Sequence, residues 1–238
     1  RAAALAQLGL TGPATILDGP LGIRAMSDTF TPDVITNGLG ERFVVADIWT
    51  KKYAANGMIH APADAVDIIR ARRPFEADDV ARIAVGSNQH AINEVGSIRK
   101  PHDIFGFQFS MNYALALQIV KHGNNFDAYT EENLNDPDIA ALAERIFTET
   151  DEEVDSWFPE KIGGRVRIEF ADGGVEEELV EDCRGTPGNP MSAAELETKA
   201  RAVASMSMTE AKFDILIAAV RSLETLADVR ELGDALRG

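Results

Sequence analysis

A single cysteine, Cys183, stands in 238 residues, so no intrachain disulfide can form and no cysteine-rich zinc or iron–sulfur site can be built. Histidine is scarce too. His60, His90, His102 and His122 are scattered at spacings that suit no metal-ligand pattern on one helix or hairpin. The glycine pairs Gly163-Gly164 and Gly173-Gly174 flank strand-like runs and read as turns, which leaves no glycine-rich phosphate loop. With no credible ligand set, the sequence predicts neither a metal nor an organic cofactor. No apolar run approaches the ~20 residues that span a bilayer. Bases are few, 23 against 39 acids, and the net charge of −16 argues against non-specific binding to nucleic acid or to an anionic membrane surface. A reducing, cytoplasmic setting fits the lack of disulfides, although a secreted protein without them would have the same composition.

What is present is ordinary for a globular chain: 45% apolar residues, enough for one large domain or two small ones. In so acidic a chain, any site for an anionic substrate must be a local basic island. Lys51-Lys52 and Arg99-Lys100-Pro101-His102 are the candidates. Each reads equally as a solvated group balancing nearby acids.

Arg1 to Leu8 carries strong helix formers, with Gly9 placed to end the helix. A chain that opens in mid-helix suggests a missing N-terminal part. Thr11-Gly12-Pro13 predicts a short second helix through Leu17, and Asp18 to Gly22 predicts a turn. The apolar run Phe43–Trp49 predicts a strand, Ala61–Arg72 a helix, and Val80–Val85 a strand. Phe109–Val120 predicts an apolar helix with Gly123 near its end and His122 favourably placed there. Asp136 should cap a short helix over Pro137–Arg145. Arg165–Phe170 and Val175–Val180, joined through Asp172-Gly173, read as a hairpin. Beyond a proline-rich loop, helices are expected over Ala193–Ser205, Thr209–Leu223 and about Leu226–Leu236, the first opened by a Ser192/Glu195 capping box. Strands interleaved with helices and closed by a hairpin indicate an α+β fold.

The stretch that organises the chain is Thr50-Lys51-Lys52-Tyr53 through Asn56 to His60. It sets two ammonium groups, a phenol, an amide and an imidazole on a short loop entering a helix, a place where catalytic groups are commonly held. Spacing alone leaves this open beside the plainer reading, a solvated loop with one surface histidine.

Lys51, Tyr53, His60 and Asp64-Ala65 resemble the K-x-Y-x6-H-x3-DA signature of the MmgE/PrpD family, which includes 2-methylcitrate dehydratase and cis-aconitate decarboxylase. Leu10-Thr11-Gly12-Pro13 with Leu17–Gly22 resembles the string that closes the family's large helical domain. Phe109-Ser110-Met111-Asn112-Tyr113-Ala114 resembles its FSxxYA motif. Arg184, Gly185, Pro187, Asn189, Pro190, Ser192, Glu195, Leu196 and Lys199 resemble RGxPxNPxS followed by ELxxK. The resemblance covers only the C-terminal half or so of a family member.

The resemblance implies a lid-like α+β domain over residues 43–181, flanked by helical pieces, 1–42 and 182–238, of an all-α domain that is incomplete in this chain. It implies a cofactor-independent lyase, a dehydratase or decarboxylase, acting on a small di- or tricarboxylic acid. An isomerase or epimerase of the same chemistry, or a non-catalytic subunit or inactive remnant, are the alternatives. Catalysis would fall to Lys51, His60 and Tyr113, and substrate binding to Lys51, Lys52 and Asn56. A partner is implied as well: the helical half, on a separate chain or removed, in a homo- or hetero-oligomer. Three departures stand out. Ala55 and Asn56 occupy positions where the family often has cysteine or histidine, Gln108 stands where a base commonly precedes FSxxYA, and further family site residues lie in the helical half.

Overall fold

A computed structural model describes residues 1–17, 19–20, 22–26 and 33–237. The fold is α+β, and the chain divides into two compact units, Arg1–Asp47 and Ile48–Gly238.

In the first unit, a helix over Ala2–Gln7 ends where Gly9 takes a positive φ of 91°, as expected for a helix-terminating glycine. The helix expected through Leu17 is absent: residues 14–17 form only turns, with Ile16 and Gly19 bonded back to Pro13 and Thr15. The family-like string that follows includes Asp18 and Leu21, which lie outside the described residues. The strand expected at Phe43–Trp49 is also overturned. Val44–Asp47 is a 3-10 turn, and Phe43, Val44 and Val45 are exposed instead of buried on two sheet faces. An apolar run makes a strand only when a neighbouring strand takes up its backbone groups, and none of the sheet strands pairs with this one.

The second unit is built on a four-stranded sheet in the order β2-β1-β3-β4. Here β1 is Val80–Ser87, β2 Ile146–Thr150, β3 Gly164–Phe170 and β4 Val175–Val180. β1 and β2 run parallel, whereas β3 pairs antiparallel with both β1 and β4. Ile83 faces Ile146 on one side and Ile168 on the other, and all three are fully buried. The expected hairpin is β3-β4, turned by Gly173 at φ 85°, with Asp172 accepting the Gly174 N–H at 2.8 Å. The sequence reading missed β2. Its residues Ile-Phe-Thr-Glu-Thr are half polar because the strand lies at a sheet edge with most of its length exposed.

Helix α1, His60–Arg72, buries Ala61, Ala65, Val66 and Ile69 and packs across β3 and β4. Helix α2, Met111–Lys121, is capped by Ser110 and packs on α3, Pro137–Ala143, which Asp136 caps as expected. At the end of α2 it is His122, at φ 54°, that takes the left-handed position ahead of Gly123. Helices α4, Ala193–Ala204, α5, Glu210–Arg221, and α6, Arg230–Arg237, close the chain; the last starts later than the sequence suggested. The Ser192/Glu195 capping box opens α4. Among the described residues no helix is long and apolar enough to cross a membrane.

Candidate active site

The loop before α1 is tied down along its backbone. Thr50 N–H donates to the Gly185 carbonyl at 2.9 Å, Ala54 N–H to Asn124 at 3.1 Å, and Asn56 N–H to Gln108 at 2.9 Å. The Gln108 amide returns a bond to the Ala54 carbonyl at 2.8 Å. The glutamine found where a base was expected is therefore a brace for the loop. Asn56 caps the turn that leads into α1, accepting the Met58 N–H at 2.9 Å, and its amide donates to Glu94 at 3.2 Å.

Tyr53 is buried, and its hydroxyl lies 2.7 Å from both Asp64 and Asp67. Lys52 donates to the same three groups: Tyr53 at 2.7 Å, Asp64 at 2.8 Å and Asp67 at 3.0 Å. Burial by itself would lower the lysine pKa, but the bonds and charges of Asp64 and Asp67 outweigh it and raise it. Burial, then the two carboxylates, hold Tyr53 firmly protonated. The Asp64 side chain also accepts the backbone N–H of Arg184 at 2.6 Å. The Arg184 guanidinium in turn grips Glu195 at 3.0 Å and Asn189 at 2.8 Å. With Ser192 adding its own bonds, the Glu195 carboxyl is pulled down to about 2. The two family-like motifs, about 120 residues apart, thus meet at one buried carboxylate.

His60 opens α1 with 1% of its surface exposed, which removes the reading of a solvated histidine. Its ring meets Tyr53 edge-on at 5.3 Å. Burial first, and the Lys51 charge second, lower its pKa to about 4, against the pull of a bond to the Ala55 carbonyl. His60 is therefore a neutral imidazole near neutral pH, and its Nε2 has no hydrogen-bond partner among the described residues. Lys51 donates to the Ala55 carbonyl at 3.1 Å. Its own carbonyl accepts the ammonium of Lys199 from α4.

Lys51, Lys52, Tyr53 and Lys199 line a cleft of about 490 Å³, whose other walls include Phe126, Met191 and Met206. Tyr113 is not on this wall among the described residues. It packs edge-on against Phe107 at 6.0 Å, with its pKa raised by burial and by Glu144. The structure thus brings Lys51, Lys52 and His60 together around Tyr53, places Asn56 at the end of the same loop, and shows no contact joining Tyr113 to them. The second basic island is engaged elsewhere. Arg99 donates to the carbonyls of Ile146 at 2.8 Å and Ala143 at 3.4 Å, and Lys100 pairs with Glu144 at 3.8 Å.

Among the described residues no three His, Cys, Asp or Glu side chains are grouped to hold a metal ion. His90 stacks on Phe158 and His122 faces Glu76 at 3.3 Å. Cys183 is buried, and burial pushes its thiol up to about 12, which suppresses the thiolate. Sequence reasoning did not single out the linking role of Asp64 or the placement of Lys199. A local signal existed for each: Asp64 lies four residues past His60 and Lys199 four past Glu195, one helical turn in both cases.

Residues 53–225, which carry the sheet, α1 and the loop that Asp64 holds, match the MmgE/PrpD C-terminal domain, and the chain belongs to the MmgE/PrpD family. Among curated proteins it is similar to cis-aconitate decarboxylase of Aspergillus terreus, 27% identical over 216 residues, covering 87% of this chain and 44% of that protein. It is also similar to the human cis-aconitate decarboxylase, 24% identical over 252 residues, covering 100% of this chain and 50% of the relative. A cis-aconitate decarboxylase-like protein of Aspergillus oryzae is 25% identical over 253 residues, covering 95% and 52% respectively. The chain spans about half the length of the curated relatives it matches.

Proposed function

We propose that this chain forms the C-terminal part of a cofactor-independent lyase, a decarboxylase or dehydratase, acting on a small di- or tricarboxylic acid. The observation that carries the reading is a family-type loop that sets Lys51, an ammonium without a carboxylate partner among the described residues, on the wall of a cleft and close enough to the buried, neutral His60 to lower its pKa. The relatives' decarboxylase activity supports it.

Removing a carboxyl group or a proton next to a carboxylate leaves an electron pair on carbon, spread into that carboxylate as a second negative charge. In this reading Lys51 stabilises that charge. His60, neutral and with a buried Nε2 that has no partner among the described residues, accepts the proton, and a bound anion nearby would raise its basicity toward the working range. Tyr113 lies off the cleft wall, packed against Phe107, so its proposed role as proton donor rests on the family motif alone. Lys52, whose charge is already shared with Asp64 and Asp67, and Asn56 are proposed as substrate contacts of lesser weight. Residues 1–42 and 182–238 would belong to one helical domain completed by an N-terminal half, on the same polypeptide or another. Cytoplasmic residence and oligomerisation belong to the same proposal.

The test is turnover of citrate-, malate- and aconitate-like acids by an assembly that includes the helical half. Lys51→Ala should cost about 10²–10³ in rate. His60→Gln, which keeps shape and polarity, should cost about 10²–10⁴ while the protein stays folded. Near wild-type turnover in both variants on an acid that is converted would remove this loop from the chemistry.

A further inference from the structure

Lysines in this acidic chain find carboxylates: Lys52 pairs with Asp64 and Asp67, Lys100 with Glu144, Lys121 with Asp136, and Lys161 with Glu181 and Asp182. Lys51 and Lys199 do not, among the described residues. Each ammonium instead donates to a backbone carbonyl, Lys51 to Ala55 and Lys199 to Lys51 itself. An ammonium carries three donors, so each retains hydrogen-bonding capacity beyond that one contact. Both line the same cleft.

Two like charges brought together without a counter-ion disfavour one another. The Lys199 pKa is lowered, first by burial and then by Lys51. The other charged groups on the wall do not resolve this. Lys52 is shared by two carboxylates, Glu195 is held by the Arg184 guanidinium, and Asp127 contributes one acid. Lys199 is also well placed by its backbone. It lies one turn beyond Glu195, which the capping box and Arg184 fix at the start of α4. Phe126, Met191, Val203 and Met206 supply apolar wall between the polar groups. A cavity with apolar sides and two carboxylate-free ammonium groups suits a short carbon chain with a carboxylate at each end.

We infer that Lys199 is a second substrate-binding cation, which together with Lys51 takes the two carboxylates of a small dicarboxylate. The inference deepens the proposed lyase reading and rests on it only for the identity of the reaction.

The experiment titrates the full 238-residue chain with succinate and, separately, with acetate at fixed ionic strength near neutral pH, by calorimetry. Wild type, Lys199→Gln and Lys199→Arg are compared, with thermal melts to confirm that each is folded. Lys199→Gln should weaken succinate about 10- to 100-fold, the loss of one charge-assisted contact, and leave acetate unchanged. Lys199→Arg, which keeps the charge, should retain succinate binding. Equal succinate affinity in wild type and Lys199→Gln overturns the inference. So does an equal loss of acetate and succinate, because Lys199 would then only hold the Lys51 backbone. Absence of succinate binding by the wild type also overturns it. Lyase turnover is assayed in parallel on the assembly with its helical half. Turnover without a Lys199 effect on succinate sinks this inference alone, whereas Lys199-dependent binding without turnover of any acid sinks the lyase reading alone.

Discussion

Asp64 accepts the backbone N–H of Arg184 at 2.6 Å, so one carboxylate joins the first turns of α1 to a loop 120 residues later. Its other oxygen takes the Tyr53 hydroxyl at 2.7 Å and the Lys52 ammonium at 2.8 Å. Asp64→Asn keeps the volume but removes the charge and turns an NH₂ toward groups that are themselves donors. Breaking a buried pair costs about 3–5 kcal/mol; because Lys52 is nearly a third exposed, about 2–4 kcal/mol is expected here. Urea denaturation of the two proteins measures it. A change below about 0.5 kcal/mol would show that Asp64 does not bind the two motifs together.

Gly185 sits at φ 103°, and a Cβ there would overlap the Thr50 carbonyl oxygen. The close approach is what lets Thr50 N–H reach the Gly185 carbonyl at 2.9 Å. Gly185→Ala should therefore destabilise by about 2–4 kcal/mol and displace the loop that carries Lys51. The same denaturation experiment, with a binding titration beside it, checks both effects. A variant as stable as wild type would contradict the tight packing of these two segments.

Folding lowers the His60 pKa from 6.5 to about 4, so between those values the unfolded chain holds a proton that the folded chain refuses. The stability that comes from keeping His60 neutral is complete above about pH 6.5 and is lost as the pH falls toward 4, about 3 kcal/mol in all. Glu195, held near 2, loses its contribution only at lower pH. Stability measured from pH 7 to pH 4 should slope downward in wild type, and His60→Gln should flatten that slope. Parallel curves for the two proteins would mean that His60 is not buried in its neutral form.

Phe43, Val44 and Val45 in the first unit, and Met206, Ile215 and Val229 in the second, are large apolar side chains left exposed. Contiguous apolar patches are uncommon on soluble monomers. The 238-residue chain on its own is expected to associate, and adding the helical half should replace that self-association with a defined complex. Size-exclusion chromatography with light scattering reads the outcome. A sharp monomer that melts cooperatively would contradict it.

Short-range chemistry was legible in the sequence because three or four adjacent residues settle it. Asp136 capping Pro137–Ala143, Ser192 with Glu195 opening α4, and Gly173 turning the β3-β4 hairpin each depend on neighbours along the chain. Lys51 and His60 came forward through the resemblance of their loop to a family motif, since spacing alone left a solvated loop equally open. The strand expected at Phe43–Trp49 failed, and β2 at Ile146–Thr150 went unseen, because strand formation depends on which distant segment offers backbone partners.

The sequence by itself determined the family, the α+β class, the acidic charge that makes any anion site local, and the loop where basic groups gather. Only the tertiary structure decided what surrounds each of those groups. It places Asp64 and Asp67 against Lys52, so that cation is shared within a buried cluster while Lys51 is not. It buries His60 beside Tyr53, so the imidazole is neutral. It brings Lys199 to the carbonyl of Lys51 from 148 residues away. Charge and protonation depend on what surrounds a group in space, and folding supplies those surroundings.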